Sequence, residues 1–515
     1  MTQIDLDGHS LSLNEVRQVA EQGTAVRIRL AEAACRAIEH SRAYVKSRVR
    51  DGDVVYGVTT GFGRLADIVI SPDQQAELQA NLIRSHAVGL GEPITVHQVR
   101  AIMLLRANAL AKGFSGIRLE VVELLVEFLN RGVHPVVPTT GSVGASGDLA
   151  PLSHIALSLM GEGEVLHNGQ RIPTQGVLDE LGLTPVVLME KEGLALINGT
   201  QATNGLGILA FLRAMDAVEA LEAAGAMSSE ALLGTPEAFR DEVSQARPQP
   251  GQRQAAENLR RLLRGSEIRE SHRQGDPRVQ DAYSLRCMPQ VHGAARQALD
   301  YVRGVLEVEA NSATDNPLIF PDSEAIVSAG NFHAQVVSAA LDFGCIALTD
   351  LAAISERRIE RLLNPDLSQG LPAFLAANPG LESGLMIAQV TACDILSEMR
   401  VLSHPASVDS VSTSASQEDH ISMGFASARK FTRCAILLQY VVAVELASAA
   451  QGIETRRPLK GGVGVEAAWT AVRKVLAPLT GDRSLHLELE ALRLEIEKGA
   501  FTLDTLDPEG MGKAF

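Results

Sequence analysis

A mainly α-helical fold is predicted, a bundle of long helices with a smaller mixed N-terminal domain, and three observations carry it. Ala and Leu are the commonest residues, Glu and Arg are frequent, and aromatic residues make up only 4% of the chain, a composition that favours helix. From about residue 200, apolar residues recur at i, i+3, i+4 and i+7 over 203–227, 291–312, 332–363, 384–402 and 424–452. Helices of about 20–30 residues are about 30–45 Å long, so several of them imply a side-by-side bundle. At 515 residues the chain is long for one core. The expected division is an N-terminal domain over 1–200 and a bundle with C-terminal helices over 201–515.

In chain order, residues 1–30 read as short strands and a turn, leading into a helix with its spacing over 31–50. Val54-Val55-Tyr56 enters a Gly/Thr-rich turn at 57–63. Ser71-Pro72-Asp73 opens the next helix, with Pro72 placed early, where a missing N–H costs little. Residues 95–112 and 117–131 are further helices, the second stopped by Gly132. Asn168-Gly169 between two short apolar runs is a hairpin signal.

Charge and cysteine usage exclude several classes. Net charge is −16, from 46 basic and 62 acidic residues, with no basic cluster to attract nucleic acid. Cys35, Cys287, Cys345, Cys393 and Cys434 are scattered and odd in number, which reads as reduced, buried thiols in a cytoplasmic protein. There is no C-x-x-C or H-E-x-x-H spacing, so neither a metal nor a diffusible cofactor is expected. The N-terminal ten residues carry Asp5 and Asp7 and no apolar core, unlike a signal peptide. The most apolar window, 435–452, is interrupted by Glu445 and reads as a buried helix rather than a membrane span.

The stretch with the most unusual chemistry is Gly141-Ser142-Val143-Gly144-Ala145-Ser146-Gly147-Asp148-Leu149-Ala150-Pro151-Leu152. Its glycines permit a tight, unusual turn. Ala145-Ser146-Gly147 holds the parts for backbone self-cyclisation. A glycine nitrogen can attack the carbonyl carbon two residues back, and the serine between them can lose its hydroxyl as water. The product is a five-membered ring with an exposed methylidene, a strong electrophile. Polar islands recur elsewhere, at 56–63, Ser85-His86, Asn198-Gly199-Thr200-Gln201, 280–290, Gly330-Asn331-Phe332-His333 and 416–420, and two of only five tyrosines, Tyr56 and Tyr283, fall in them.

These motifs, in this order, resemble the aromatic amino acid ammonia-lyase family over roughly residues 5–505, and most of all its histidine-acting members. The resemblance implies the ammonia-lyase/fumarase-like helix bundle, with Ala145, Ser146 and Gly147 converted autocatalytically to 4-methylideneimidazole-5-one (MIO). It implies elimination of ammonia from L-histidine to give trans-urocanate, in a homotetramer whose active sites draw residues from three chains. A tyrosine or phenylalanine ammonia-lyase, or an aminomutase, is the alternative within the family. The Ser-Ser-x-Met-Pro-x-Lys-x-Asn loop of the fumarase/aspartase enzymes is absent from the sequence.

By the same resemblance Tyr56 is the base for the β-proton. A free tyrosine titrates near 10, so it needs a polar site, which N–H groups around Gly57, Gly61 and Gly63 could supply. Arg286 suits the substrate carboxylate, since a guanidinium fork matches it. Asn198 and Tyr283 correspond to residues that contact the amine, carboxylate or prosthetic group. Gln280 and Phe332 correspond to pocket and ring-supporting residues, and Asp148 to a support for the loop. His86 and Glu418 match positions that meet the imidazole, and a buried Glu418 facing a phenyl ring would stay unsatisfied. Thr59 and Ser416 stand where histidine-acting members usually carry asparagine.

Overall fold

The computed structural model describes residues 2–51, 53–65 and 67–508; residues 509–515, the end of the expected second domain, lie outside them. The described chain is mostly helical, with twenty α-helices and only short strands. The long helices run over Gln201–Ala231, Met288–Ala310, Gln335–Leu363, Met386–Leu402 and Gly424–Glu454, within a few residues of the bounds expected from periodicity. The chain divides into two compact units, one of Met1–Leu212, Val302–Asp342 and Pro405–Arg429, the other of Arg213–Tyr301, Phe343–His404 and Lys430–Phe515.

The first unit holds the sheets. Thr2–Leu6 pairs in parallel with Val26–Leu30. Parallel neighbours need a crossover, and the helix Leu13–Gln22 supplies it. The short strands expected before residue 30 are thus present, and this helix lies between them where a turn was expected. Its start is a capping box, with Ser12 Oγ accepting from Glu15 N and Glu15 Oε2 accepting from Ser12 N at 2.8 Å. Asn168 and Gly169, both at positive φ, make the turn of the hairpin Glu164–His167/Gln170–Pro173.

At the centre of this unit the helix Val96–Ala111 is buried on nearly every side, Arg100 and Arg106 included. Leu13–Gln22, Glu32–Arg50 and Leu119–Arg131 pack around it. Arg100 donates to Val19 O and Gly23 O, both at 2.8 Å, and to Leu129 O at 3.0 Å, so one buried guanidinium ties three segments. Burial pushes it down to about 10. Leu119–Arg131 stops at Gly132, whose φ of +68° is left-handed. Three shorter helices, Gln75–His86, Leu149–Leu159 and Glu192–Ile197, pack on one another and carry site residues on their ends.

The second unit is a bundle of long helical segments. Glu445, fully buried on Gly424–Glu454, gathers its neighbours: Ser228 Oγ donates to it at 2.8 Å, Ser355 Oγ at 2.5 Å and Arg358 through Nε and Nη2 at 2.5 and 2.8 Å. The charge that interrupts the apolar window 435–452 is thus paired inside the bundle, although a window within Gln335–Leu363 is more apolar still. The most apolar stretch of Gly424–Glu454 is long enough to cross a membrane but 89% buried within the protein. The helices Pro250–Leu262 and Met288–Ala310 cross so closely that a Cβ on Gly251 would lie 2.1 Å from Gly293 O. All five cysteines are free; Cys345 and Cys434 are buried, Cys35 and Cys287 are half-buried, and Cys393 is exposed. The expectation of buried thiols fails there because Cys393 faces outward on Met386–Leu402, where its Sγ donates to Glu356 Oε1 at 3.3 Å.

Glu230 offers a test of this packing. It is buried, and both of its oxygens accept from Gly462 N, at 2.9 and 3.2 Å. Burial pushes its carboxyl up to about 7, against the hydrogen bonds from Ser266 and Gly462. The folded state therefore keeps this proton where the unfolded chain, near 4.5, has released it. Stability from this group is highest at low pH, falls as pH rises from 4.5 to about 7, and is level above that. Denaturant titrations of Glu230→Gln and wild type should show the variant gaining up to ~3 kcal/mol relative to wild type across that window; a pH-independent difference would contradict the account.

Candidate active site

The loop before Leu149–Leu159 is held by a close backbone approach. Gly147 forms a parallel bridge with Gly199, and Asp148 N donates to Gly199 O at 2.7 Å. A Cβ on Gly147, whose φ is +82°, would lie 2.3 Å from Gly199 O, so only glycine fits. Ser146 itself sits at φ +50°, a left-handed conformation that costs a non-glycine residue about 1–3 kcal/mol. A Cβ on Gly144, at φ +77°, would likewise lie 2.2 Å from Ser422 Oγ, and Met423 N donates to Val143 O at 2.9 Å. The loop is thus clamped at two points on either side of Ala145 and Ser146.

Two buried ionisable groups set the clamp. Asp148 Oδ2 accepts from Thr203 N at 2.6 Å, and Oδ1 from Thr203 Oγ1 at 2.9 Å and Ser142 Oγ at 3.1 Å. Burial pushes its carboxyl up to about 6, while these donors pull the other way. Arg106 donates through Nη1 to Asn198 O at 3.0 Å and Gln201 Oε1 at 2.8 Å, and through Nη2 to Ala195 O. Burial pushes it down to about 10, so it stays charged at neutral pH. It holds the Asn198-Gly199 strap from behind. Arg106 was not expected as a site residue; its signal is a lone arginine inside the apolar run 101–111.

Two cavities, about 500 and 410 Å³, share Tyr56, Gly63, Ser146, Asn316 and Glu418 in their walls. Asn198 lines the larger one and donates through Nδ2 to Ser146 O at 2.7 Å. Tyr56 OH accepts from Gly63 N at 3.2 Å, a contact that strengthens when the oxygen bears charge. Glu418 Oε1 accepts from Ser146 Oγ at 2.9 Å, and Oε2 from Thr413 Oγ1 at 2.8 Å. His86 ends the helix Gln75–His86 at the wall of the larger cavity. Its Nδ1 lies 2.8 Å from Leu82 O; a carbonyl only accepts, so Nδ1 carries the hydrogen and Nε2 presents a lone pair. Phe332 lines the smaller cavity with Gly144 and Ala145.

Tyr56, His86, Ala145, Ser146, Asn198, Phe332 and Glu418 thus line these two cavities, with Gly147 and Asp148 in the loop behind them. Gln280, Tyr283 and Arg286 belong to the second unit and line a cavity of about 360 Å³ of their own. There Arg286 lies 4.5 Å over the Tyr283 ring and donates through Nε to Asp281 O at 2.9 Å. Tyr283 is 71% exposed.

The two unusual positions differ in placement. Thr59 Oγ1 donates to Asp53 O at 3.0 Å and accepts from Val55 N at 2.9 Å, so it closes its own turn. Ser416 ends a left-handed turn in which Ser414, Ala415 and Ser416 have φ of 52°, 52° and 65°. Ser414 lines the larger cavity, and its Oγ would be 2.8 Å from a Cβ on Gly63. Asn316, Thr413 and Ser414 join the site without having been expected there; nothing in their local sequence separates them from ordinary turn residues.

Among known proteins, the chain is 51% identical over 495 residues to a histidine ammonia-lyase of Myxococcus xanthus, covering 96% of each. The solved histidine ammonia-lyase of Trypanosoma cruzi superposes with a TM-score of 0.91 at 43% identity, covering 98% of this chain and 95% of that one. A tyrosine aminomutase of Streptomyces globisporus superposes with a TM-score of 0.93 at 38% identity and 99% coverage of both. The aromatic amino acid lyase family model matches residues 11–474. With that span matched and half-identical relatives along nearly its whole length, the chain belongs to the aromatic amino acid lyase family.

Proposed function

We propose that this protein is a histidine ammonia-lyase that converts L-histidine to trans-urocanate and ammonia, with MIO formed from Ala145, Ser146 and Gly147. The observation that carries the reading is the clamped Ser146, set between Asn198 and Glu418 in a cavity that also holds Tyr56 and His86. The residues fit the group: Gly147 has no room for a side chain, and Ser146 O is already held by an amide donor. Once formed from these residues, the group would supply an electrophilic carbon for the substrate amine, which would make its nitrogen a better leaving group.

The other residues bind, orient and move protons. Tyr56 takes the β-proton, with Gly63 N–H supporting the charge on its oxygen. His86 Nε2 and the Glu418 carboxylate are two acceptors, and an imidazole ring offers N–H where a phenyl ring offers none. Both groups are half-buried; a phenyl ring that covered them would leave each acceptor unpaired at a cost of about 1–3 kcal/mol, which favours histidine over phenylalanine. Thr59 is occupied within its own turn and is not among the residues lining either cavity. Arg286 clamps the carboxylate, and Tyr283 and Gln280 complete that side.

These three lie in a separate, open cavity, and apolar Ile387, Val390 and Val401 are 64%, 55% and 74% exposed on Met386–Leu402. Both features fit a homotetramer in which each active site draws on three chains. Free cysteines fit a cytoplasmic enzyme.

A panel of histidine, tyrosine and phenylalanine with product identification tests the substrate. Urocanate from histidine is expected; a β-amino acid product would point instead to aminomutase chemistry. Ser146→Ala should keep its full sequence mass and lose activity. Tyr56→Phe should lower kcat about 10²–10⁴-fold with little change in KM; an unchanged kcat would reassign the base. Co-refolding inactive Tyr56→Phe with inactive Arg286→Gln should restore measurable activity, since mixed tetramers contain sites with both residues intact. No recovery in verified mixed tetramers would rule out shared sites.

A further inference from the structure

Ser146 must lose its hydroxyl for the group to form, and the structure shows what that hydroxyl touches. Ser146 Oγ donates to Glu418 Oε1 at 2.9 Å. The other oxygen of that carboxylate is fixed by Thr413 Oγ1 at 2.8 Å. The main chains of Thr413 and Glu418 pair as well, N to O at 3.0 and 3.3 Å. A carboxylate is therefore anchored on the departing atom while Ser146 is still a serine. On its carbonyl side Ser146 O is held by Asn198 Nδ2 at 2.7 Å.

We propose that Glu418 is a catalytic residue of maturation: it carries the proton from Ser146 Cα to Ser146 Oγ in the second dehydration, while Asn198 stabilises the charge that develops on Ser146 O. This rests on Ala145, Ser146 and Gly147 being the precursor of MIO. In the first dehydration Gly147 N bonds to Ala145 C, and Ala145 O leaves as water with the hydrogens of Gly147 N and Ser146 N. In the second, the Cα–H bond of Ser146 breaks and its electron pair passes through Ser146 O into a new Cα=Cβ bond. The Cβ–Oγ bond breaks, and Oγ leaves as water with its own hydrogen and the one delivered by Glu418. The carboxylate is regenerated, and no electrons are gained or lost overall.

Loss of Oγ also removes the partner of Glu418 Oε1. The oxygen that served the dehydration is then free to meet the substrate imidazole, so one carboxylate acts first on the chain and later on the ligand. An unprocessed chain has that oxygen occupied, which keeps histidine from binding fully before the electrophile exists.

Intact-mass spectrometry at timed intervals after synthesis tests this without reference to turnover. Wild type should become two waters lighter than its sequence mass. His86→Ala, which alters the same cavity but leaves Ser146 and Glu418 in place, should do so at the same pace. Glu418→Gln keeps the size but cannot carry a proton, and should lose the second water at least about 100-fold more slowly; Glu418→Asp should recover part of the rate. Loss of both waters by Glu418→Gln at the wild-type pace, even with no activity on histidine, would overturn the proposal and leave Glu418 as a substrate contact only. Should Glu418→Gln fail to fold, Thr413→Val decides: slowed loss of the second water supports the proposal, and a wild-type pace contradicts it. A wild type that stays at full mass would instead remove the MIO reading itself.

Discussion

The close approach of Gly147 to Gly199 is the contact on which the site depends. A side chain at Gly147 would have to share space with a carbonyl oxygen 2.3 Å away, and no rotamer change relieves a clash with backbone. The approach is maintained by main-chain pairing and by two buried charges. Asp148 ties the loop to the start of Gln201–Ala231 through Thr203, and Arg106 ties Asn198, Ala195 and Gln201 together. Both charges are expensive to bury. Their shifted carboxyl and guanidinium record that cost, and the donors and acceptors around them offset part of it. A flexible Gly/Ser loop would have needed neither group, so this loop is a stiff element whose glycines allow crowding rather than motion.

From that clamp the chemistry of the cavity follows. Ser146 is held in a left-handed conformation with its carbonyl on Asn198 and its hydroxyl on Glu418. Tyr56 lines both cavities on which Ser146 opens, its oxygen supported by a backbone N–H. The proposed base, the proposed electrophile precursor and the acceptors proposed for a polar ring thus line two cavities that share residues within one unit of the fold. The residues suited to a carboxylate, Arg286 with Tyr283 and Gln280, are grouped just as tightly in the other unit.

Much of this was legible in the sequence, for reasons that differ by element. The long helices were found because an apolar repeat depends only on local spacing; Gln201–Ala231 and Gly424–Glu454 extend the expected ranges by two to four residues at an end. The helix Leu13–Gln22 was passed over although its Ser12/Glu15 capping box was in plain view, because its role, joining two parallel strands, exists only in three dimensions. The placement of Cys393 shows the same limit, since helical spacing alone does not say which face a neighbour covers. Within the site, the residues carried by motifs were named, whereas Arg106, Thr413 and Ser414 were not. Thr413 becomes meaningful only through its pairing with Glu418 across a loop, and Arg106 only through the carbonyls it gathers.

The proposed conversion of Ala145-Ser146-Gly147 to an electrophile within this clamp is tested most directly by one peptide. Trypsin should release residues 132–171 as a single fragment, since the next basic residue after Arg131 is Arg171. Tandem mass spectrometry of that fragment should find two waters missing, both localised to positions 145–147. A fragment of full sequence mass from an enzymatically active preparation would contradict the account.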